Sequence, residues 1–234
     1  MNIAIIAAAG QGVRVGGPRA KQFLEIAGTP IIIHTLKRFE QCADIQEVIV
    51  VLPAPETATF LGLAGKYGLR KLARVVPGGV TRAESVWRGL QSVRSATARI
   101  VAVHDGVRPF VTPDEISRTV RAAEATGAAI LVAPATDTIK EVQDGQVLRT
   151  LERARLRRAL TPQCFRHTLL RRAYEQAATL DVNVTDDSAL VERLGAPVTV
   201  IEGDPRNIKI TRPEDIALAE ILLKSGVWSL ESGV

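Results

Sequence analysis

The chain has 234 residues, 46% hydrophobic and 24% charged, which is enough apolar material to bury one full core and excludes a disordered chain. A net charge of +5 with only 4% aromatic residues lacks the basic and aromatic clustering of a nucleic-acid binder and suits an anionic small substrate at least as well. The two cysteines, Cys42 and Cys164, have neither CxxC nor metal-ligand spacing, so they read as small core residues in a reducing compartment.

The opening MNIAIIAAAG imitates a secretory signal, but it has no basic leader and its apolar run is at the short limit. It reads instead as the first core strand. No later run approaches the ~20 apolar residues of a membrane span, so a cytoplasmic protein without a membrane partner is expected.

Further apolar runs lie at 46–52, 72–76, 99–104, 127–133 and 197–203. Their apolarity is continuous rather than alternating, which predicts strands covered on both faces, as in a parallel sheet. Helical patterns lie between them, starting at residues 30, 56, 81 and 112. Thr81 with Glu84 and Thr112 with Glu115 have capping-box spacing, and Pro113 suits a first helical turn.

Residues 137–156 break the alternation, with two β-prone runs around Asp144-Gly145, a strong hairpin signal. An inserted hairpin of this kind reads as an arm that builds a dimer. Helices are expected at 166–179, 186–194 and 211–223, followed by a ragged tail after about residue 225. The chain thus reads as one α/β domain over 1–234 with an inserted arm.

The first chemical candidate is AAAGQGVRVGGPRAKQF, residues 7–23. A dinucleotide fingerprint needs GxGxxG, yet after Gly10 and Gly12 the third position is Val15. A Walker loop needs GK followed by Ser or Thr, and no register supplies it. A ligand-free turn explains the glycines but not Arg14 and Lys21. What remains is a nucleotidyltransferase-type loop, in which backbone N–H groups wrap a triphosphate and the two cations neutralise it.

HDGVRPF, residues 104–110, ends a predicted strand, where open α/β sheets bind ligands. Asp105 is placed there to meet a ribose or a metal ion, with Arg108 reaching an anion; a capping Asp and a surface Arg are the plainer alternative. Lys209 in NIKITRPED either alternates out to solvent or serves an anionic pocket. In the arginine-rich stretch 149–165, most of the charges read as a solvated face, with Thr161-Pro162-Gln163 as a surface-loop corner. The three histidines lack zinc spacing, and Ser85 and Ser188 lack a nucleophile elbow.

Seven segments in order, AAGQGVR with PRAKQF, PGGVTRAESV, HDGVRPF, ATDTIK, ALTPQ, TDDSAL and NIKITRPED, resemble the 2-C-methyl-D-erythritol 4-phosphate cytidylyltransferases of the non-mevalonate isoprenoid pathway. The resemblance implies a Rossmann-like, three-layer α/β nucleotidyltransferase fold with a mostly parallel sheet and a protruding β-hairpin arm that forms a homodimer. It implies transfer of CMP from CTP to the acceptor's 4-phosphate, release of pyrophosphate and a requirement for Mg²⁺ or another divalent cation.

Carried over residue by residue, Arg14 and Lys21 would stabilise the α-phosphate, and Ala8, Ala9, Gly10, Gln11 and Gly12 would wrap the triphosphate. Gly79 and Ser85 would read the cytosine. Asp105 would sit near the ribose and the metal, which is otherwise held through the CTP phosphates. Arg108, Thr138 and Lys209 would hold the acceptor. Arg153 and Thr161 match arm positions that reach the partner subunit's site.

Val80, Val13 and Gly106 depart from the family pattern without removing a required charge. Two alternatives stay open. One is a ribitol 5-phosphate cytidylyltransferase, which differs only around Thr138, Arg153, Thr161 and Lys209. The other is a non-catalytic nucleotide-binding relative, which would be expected to have lost the cations.

Overall fold

The continuous apolar runs form a largely parallel sheet whose central strands are covered on both faces. The edge strands Leu72–Pro77 and Thr199–Glu202 are only partly buried, with Val200 57% exposed, which corrects the expectation of two covered faces there. The structure, a computed structural model, describes residues 1–10, 20–94, 96–178 and 186–225. In chain order its elements are β1 (Asn2–Ala7), β2 (Glu25–Ile26), β3 (Thr29–Pro30), α1 (Ile31–Gln41), β4 (Glu47–Leu52), α2 (Thr57–Lys66), β5 (Leu72–Pro77), α3 (Arg82–Gln91) and β6 (Ile100–Asp105). There follow α4 (Pro113–Thr126), β7 (Ala128–Pro134), β8 (Lys140–Gln143), β9 (Gln146–Thr150), β10 (Arg157–Arg166), α5 (His167–Ala178), α6 (Ser188–Arg193), β11 (Thr199–Glu202) and α7 (Pro213–Lys224).

Seven strands form one sheet in the order β11-β7-β10-β6-β1-β4-β5. β1 pairs in parallel with β4 and β6, β4 with β5, and β11 with β7. Side chains alternate across β1: Ala4 and Ile6 pack with α1, α2 and α4, whereas Ile3 and Ile5 pack with α3, α5 and α6. Burial on both faces is why the sequence shows no polar alternation. Ile5 is fully buried at the centre of this packing. Ile5→Ala is expected to lower stability by about 2–5 kcal/mol, read as a lower urea midpoint; an unchanged midpoint would contradict the packing.

Caps set where the helices begin. Thr112 and Glu115 exchange the reciprocal hydrogen bonds of a capping box. Thr81 accepts from the Glu84 amide, but the Glu84 carboxylate takes the Val80 N–H, so only half of the expected box forms at α3.

The main correction to the sequence reading concerns residues 157–166. They form an interior strand, β10, antiparallel to both β6 and β7, so Thr161-Pro162-Gln163 is a buried stretch and not a surface corner, while the arginines of 149–158 are solvated as expected. Arg157 and Arg158 are exposed at its start, while Leu160 to Phe165 are buried. The register with β7 shifts between Ala159 and Gln163, and pairing with β6 begins only at Gln163. Pro162, which has no N–H to give to a ladder, is therefore tolerated inside the sheet. The same irregularity leaves Thr161 outside the ladder.

The expected hairpin is present. β8 and β9 pair with each other and not with the main sheet, and Asp144 and Gly145 have φ of 50° and 79°, the left-handed pair that a tight two-residue hairpin turn requires. Val142, Val147 and Leu148 are each more than half exposed on it. Among the described residues, no helix is long and apolar enough to cross a membrane.

Candidate active site

Parallel pairing brings the carboxyl ends of β1, β4, β5 and β6 to one edge of the sheet, and the reversed direction of β10 brings its start to the same edge. A cavity of about 140 Å³ opens there, lined among others by Ala8, Gly10, Lys21, Gly79, Arg82 and Lys209. A more open groove shares Ala9, Gly10, Gly79 and Val80 with it and extends toward Pro53 and Arg88. This is the location that open α/β sheets use for nucleotides.

Backbone packing shapes the cavity. The Ala8 amide donates to the Val51 carbonyl at 2.9 Å, so the chain leaves β1 as an extension of the sheet. The β5–α3 loop closes on it: a Cβ added at Gly78 would lie 2.2 Å from the Ala9 Cβ. Gly106 approaches Ala8 in the same way, with 2.7 Å between an added Cβ and the Ala8 Cβ. Glycine at 106, a departure from the family pattern, therefore matches a close contact in this chain. Ser85 is buried; its hydroxyl donates to the Thr81 carbonyl at 2.8 Å and accepts from the Gly79 amide at 3.0 Å, which fixes the loop. Lys21 begins a short 3₁₀ turn and also lines the cavity.

Asp105, at the end of β6, is the electrostatic centre. Its Oδ1 lies 3.0 Å from Arg82 Nε, and its Oδ2 lies 2.9 Å from Lys209 Nζ and 3.3 Å from Arg108 Nε. Burial alone would raise the carboxyl pKa, but Arg82, Lys209 and Arg108 outweigh it and hold the group well below the usual carboxylate range. Arg82 also reaches the fully buried Asp187 at 2.9 Å, and Asp187 accepts from the Tyr174 hydroxyl at 2.5 Å. The guanidinium thus spans two carboxylates, and three cations share one carboxylate at the mouth of the cavity. An added anion would be drawn to the positive charge left over.

Behind Asp105 lies a buried polar chain. The Asp105 amide donates to Thr161 Oγ1 at 3.2 Å, and that oxygen lies 2.9 Å from His104 Nδ1. His104 Nε2 lies 3.1 Å from the Arg108 carbonyl. Complete burial is the largest influence on the imidazole and lowers its pKa to about 4, so the ring is neutral at neutral pH. Asn207, also fully buried, donates from Nδ2 to the Thr161 backbone carbonyl at 2.9 Å, and the Asn207 backbone carbonyl accepts from Arg108 Nη1 at 2.8 Å. Ile210 packs with Val107 and α7 and donates its amide to the Val107 carbonyl at 3.0 Å, which anchors the segment carrying Lys209.

The structure brings together Ala8, Ala9, Gly10, Lys21, Gly79, Ser85, Asp105 and Lys209 around one cavity. Arg108 and Thr161 line an adjoining pocket of about 190 Å³ that shares Arg82, Asp105 and Lys209. Thr161 lies in β10, outside the arm, and sits beside Asp105 of its own chain, which corrects its expected place in the partner's site. Thr138 and Arg153 are exposed and line neither pocket; Arg153 Nη1 donates to the Thr136 carbonyl at 3.0 Å. Gln11, Gly12 and Arg14 lie outside the described residues.

Arg82, His104, Asp187 and Asn207 were not singled out by the sequence reading. Arg82 had one usable signal: it is the first residue of α3, where a cation opposes the helix dipole and calls for acidic partners.

Among the described residues, no cluster of three or more His, Cys, Asp or Glu is arranged to hold a metal ion. Both Asp105 oxygens already face cations. This donor set fits an ion that arrives on nucleotide phosphates better than one caged by protein carboxylates.

Residues 2–225 match the family model described as 2-C-methyl-D-erythritol 4-phosphate cytidylyltransferase. Proteins of that name from Pelotomaculum thermopropionicum and Bacillus licheniformis are 44% and 42% identical to this chain, and the alignments cover 95% and 94% of it and 94% and 95% of the relatives. The crystal structure of the 4-diphosphocytidyl-2C-methyl-D-erythritol synthase from Anaerococcus prevotii superposes with a TM-score of 0.85 at 31% identity, covering 95% of this chain and 96% of that one. The Thermus thermophilus cytidylyltransferase superposes at 0.74 with 34% identity, covering 95% and 98%. With the family model matched over residues 2–225, and with the Rossmann-like sheet, the glycine-lined cavity and the cations around Asp105 among the described residues, the chain belongs to the 2-C-methyl-D-erythritol 4-phosphate cytidylyltransferase family.

Proposed function

We propose that the cavity at the carboxyl edge of the sheet binds CTP and 2-C-methyl-D-erythritol 4-phosphate side by side. The chain is a nucleotidyltransferase that transfers CMP from CTP to that acceptor, giving 4-diphosphocytidyl-2-C-methyl-D-erythritol and pyrophosphate. The observation that carries the residue assignment is the convergence of Lys21, Arg82, Arg108 and Lys209 on two pockets that share Asp105.

In the reaction, an acceptor phosphate oxygen bonds to the CTP α-phosphorus, and the bond from that phosphorus to the bridging oxygen of pyrophosphate breaks. The acceptor phosphate is already anionic at neutral pH, so no general base is needed. The obstacle is repulsion between two anions in a partly desolvated site, which cations positioned in advance reduce.

In this reading Lys21 meets the α-phosphate, together with Arg14 as the resemblance assigns it. The Ala8 amide is held by the Val51 carbonyl, so the amides that approach the triphosphate are those of Ala9 and Gly10. Gly79, held by Ser85, presents the base-reading loop. Asp105 aligns Arg82, Arg108 and Lys209 and faces the ribose. Mg²⁺ bound to CTP phosphate oxygens would offset charge on the leaving pyrophosphate.

A panel of acceptors assayed by pyrophosphate release tests the substrate. Methylerythritol phosphate is expected to be preferred, and preference for ribitol 5-phosphate would replace this reading with the sister activity.

The arm supplies the proposed dimer contact, because its apolar Val142, Val147 and Leu148 face solvent in the single chain. In the dimer, Arg153 and Thr138 would serve the partner subunit's site. Mixing Arg153→Ala with Lys21→Ala is then expected to restore part of the lost turnover through hybrid dimers that keep one intact site. No recovery after verified subunit exchange would remove the shared site. Buried, unpaired Cys42 and Cys164 suit a cytoplasmic place of action.

A further inference from the structure

We infer that His104 is a positioning residue of the acceptor pocket: its ring, held at Nε2 by the Arg108 carbonyl, fixes the Thr161 hydroxyl so that this group accepts a hydrogen bond from the acceptor's hydroxyl groups and does not donate to its phosphate. The inference rests on the acceptor-pocket reading above and deepens it.

Hydrogen-bond polarity fixes the direction of each contact in this chain of groups. The Arg108 carbonyl can only accept, so His104 Nε2, 3.1 Å away, carries the ring proton. In a neutral ring Nδ1 is then an acceptor, and Thr161 Oγ1 at 2.9 Å must donate its single hydrogen to it. One lone pair of the same oxygen takes the Asp105 amide at 3.2 Å. The other lone pair is left, and Thr161 lines the pocket that holds Arg108 and Lys209.

A phosphate oxygen offers no hydrogen to such a group, whereas a polyol hydroxyl does. The pocket therefore has a division of labour: cations for the phosphate and an acceptor-only oxygen for the sugar alcohol. His104 is fully buried, with its ring edge-on to Phe39 at 5.0 Å, so it touches no substrate and acts through Thr161.

Two measurements test this. Ring ¹⁵N spectra of the wild-type chain, with His104 assigned by the signal lost in His104→Phe or His104→Asn, are expected to show the Nε2–H tautomer. An Nδ1–H or doubly protonated ring would overturn the inference. This readout does not depend on turnover, so a chain that releases no pyrophosphate would sink the transfer reading while the ring state still decides the polarity.

In kinetics, His104→Phe is expected to raise KM for the acceptor about fivefold to tenfold, the worth of roughly one hydrogen bond, with KM for CTP unchanged. His104→Asn, whose side-chain oxygen stands near the Nδ1 position, is expected to recover part of that loss. In a Thr161→Val background His104→Phe is expected to add nothing further. Equal shifts in both KM values, or full additivity with Thr161→Val, would show a general structural role instead. If His104→Phe does not fold, His104→Asn and Thr161→Val carry the same comparison.

Discussion

Lys21→Ala is expected to lower kcat about 10²- to 10³-fold, the loss typical of removing one preorganised group that meets charge developing in a transition state. Lys21 lines the cavity at the start of a short turn outside the main sheet. Truncating it removes positive charge from the site without opening a hole among the buried strands. The urea midpoint is therefore expected to stay close to that of the wild type. Lys21→Arg keeps the charge but replaces a compact ammonium with a planar fork, so it is expected to recover only part of the loss. Steady-state pyrophosphate release checks both variants, and wild-type turnover in Lys21→Ala would remove the residue from the reaction.

Asp105→Asn is expected to damage stability as well as turnover. The wild-type carboxylate is buried and holds Arg82, Arg108 and Lys209 together. Neutralising it leaves Arg108 and Lys209 without their carboxylate and Arg82 with Asp187 alone. The expected loss is about 3 kcal/mol, the lower end for a broken buried ion pair, because Arg82 and Lys209 keep access to water.

The pH dependence follows from the direction of the shift. The folded-state pKa of Asp105 lies well below its unfolded value of about 4, despite the opposing effect of burial, because the three cations favour the charged form. A depressed carboxyl contributes its full stability above the unfolded pKa and loses it as pH falls through the folded pKa. The stability gap between wild type and Asp105→Asn is thus expected to be constant from pH 5 to 8 and to narrow only below about pH 4. Denaturant melts across this range check it, and a gap that changes between pH 6 and 8 would show that another group carries the effect.

The sheet was legible because burial on both faces leaves a simple mark, an unbroken apolar run between turn signals. The hairpin was legible because few dipeptides other than Asp-Gly satisfy two successive left-handed residues. β10 was hidden by its composition: Arg157 and Arg158 mark its exposed start and Pro162 interrupts it, so a strand buried over Leu160–Phe165 reads as a charged surface turn.

The site divides in the same way. Lys21 and Asp105 stand out as charges beside a glycine-rich and a strand-end motif, whereas Lys209 is separated from an ordinary solvated lysine only by the anionic pocket that the other segments suggest. His104 and Asn207 do not, because each acquires its meaning from Thr161, 57 and 46 residues away in the chain. Arg82 falls between these cases, since its place in the first turn of a helix hints at acidic partners without naming Asp105 and Asp187.

The proposed site of transfer is the carboxyl edge of the sheet, between Lys21 and the cations gathered on Asp105. A crystal structure of the chain with CTP and methylerythritol phosphate is the decisive test. The α-phosphate is expected within hydrogen-bond reach of Lys21 Nζ and the acceptor phosphate on the side lined by Arg108 and Lys209, with a sugar hydroxyl against Thr161. Nucleotide seated away from the Ala8–Gly10 segment, or an acceptor that makes no contact with Arg108, Thr161 or Lys209, would contradict it.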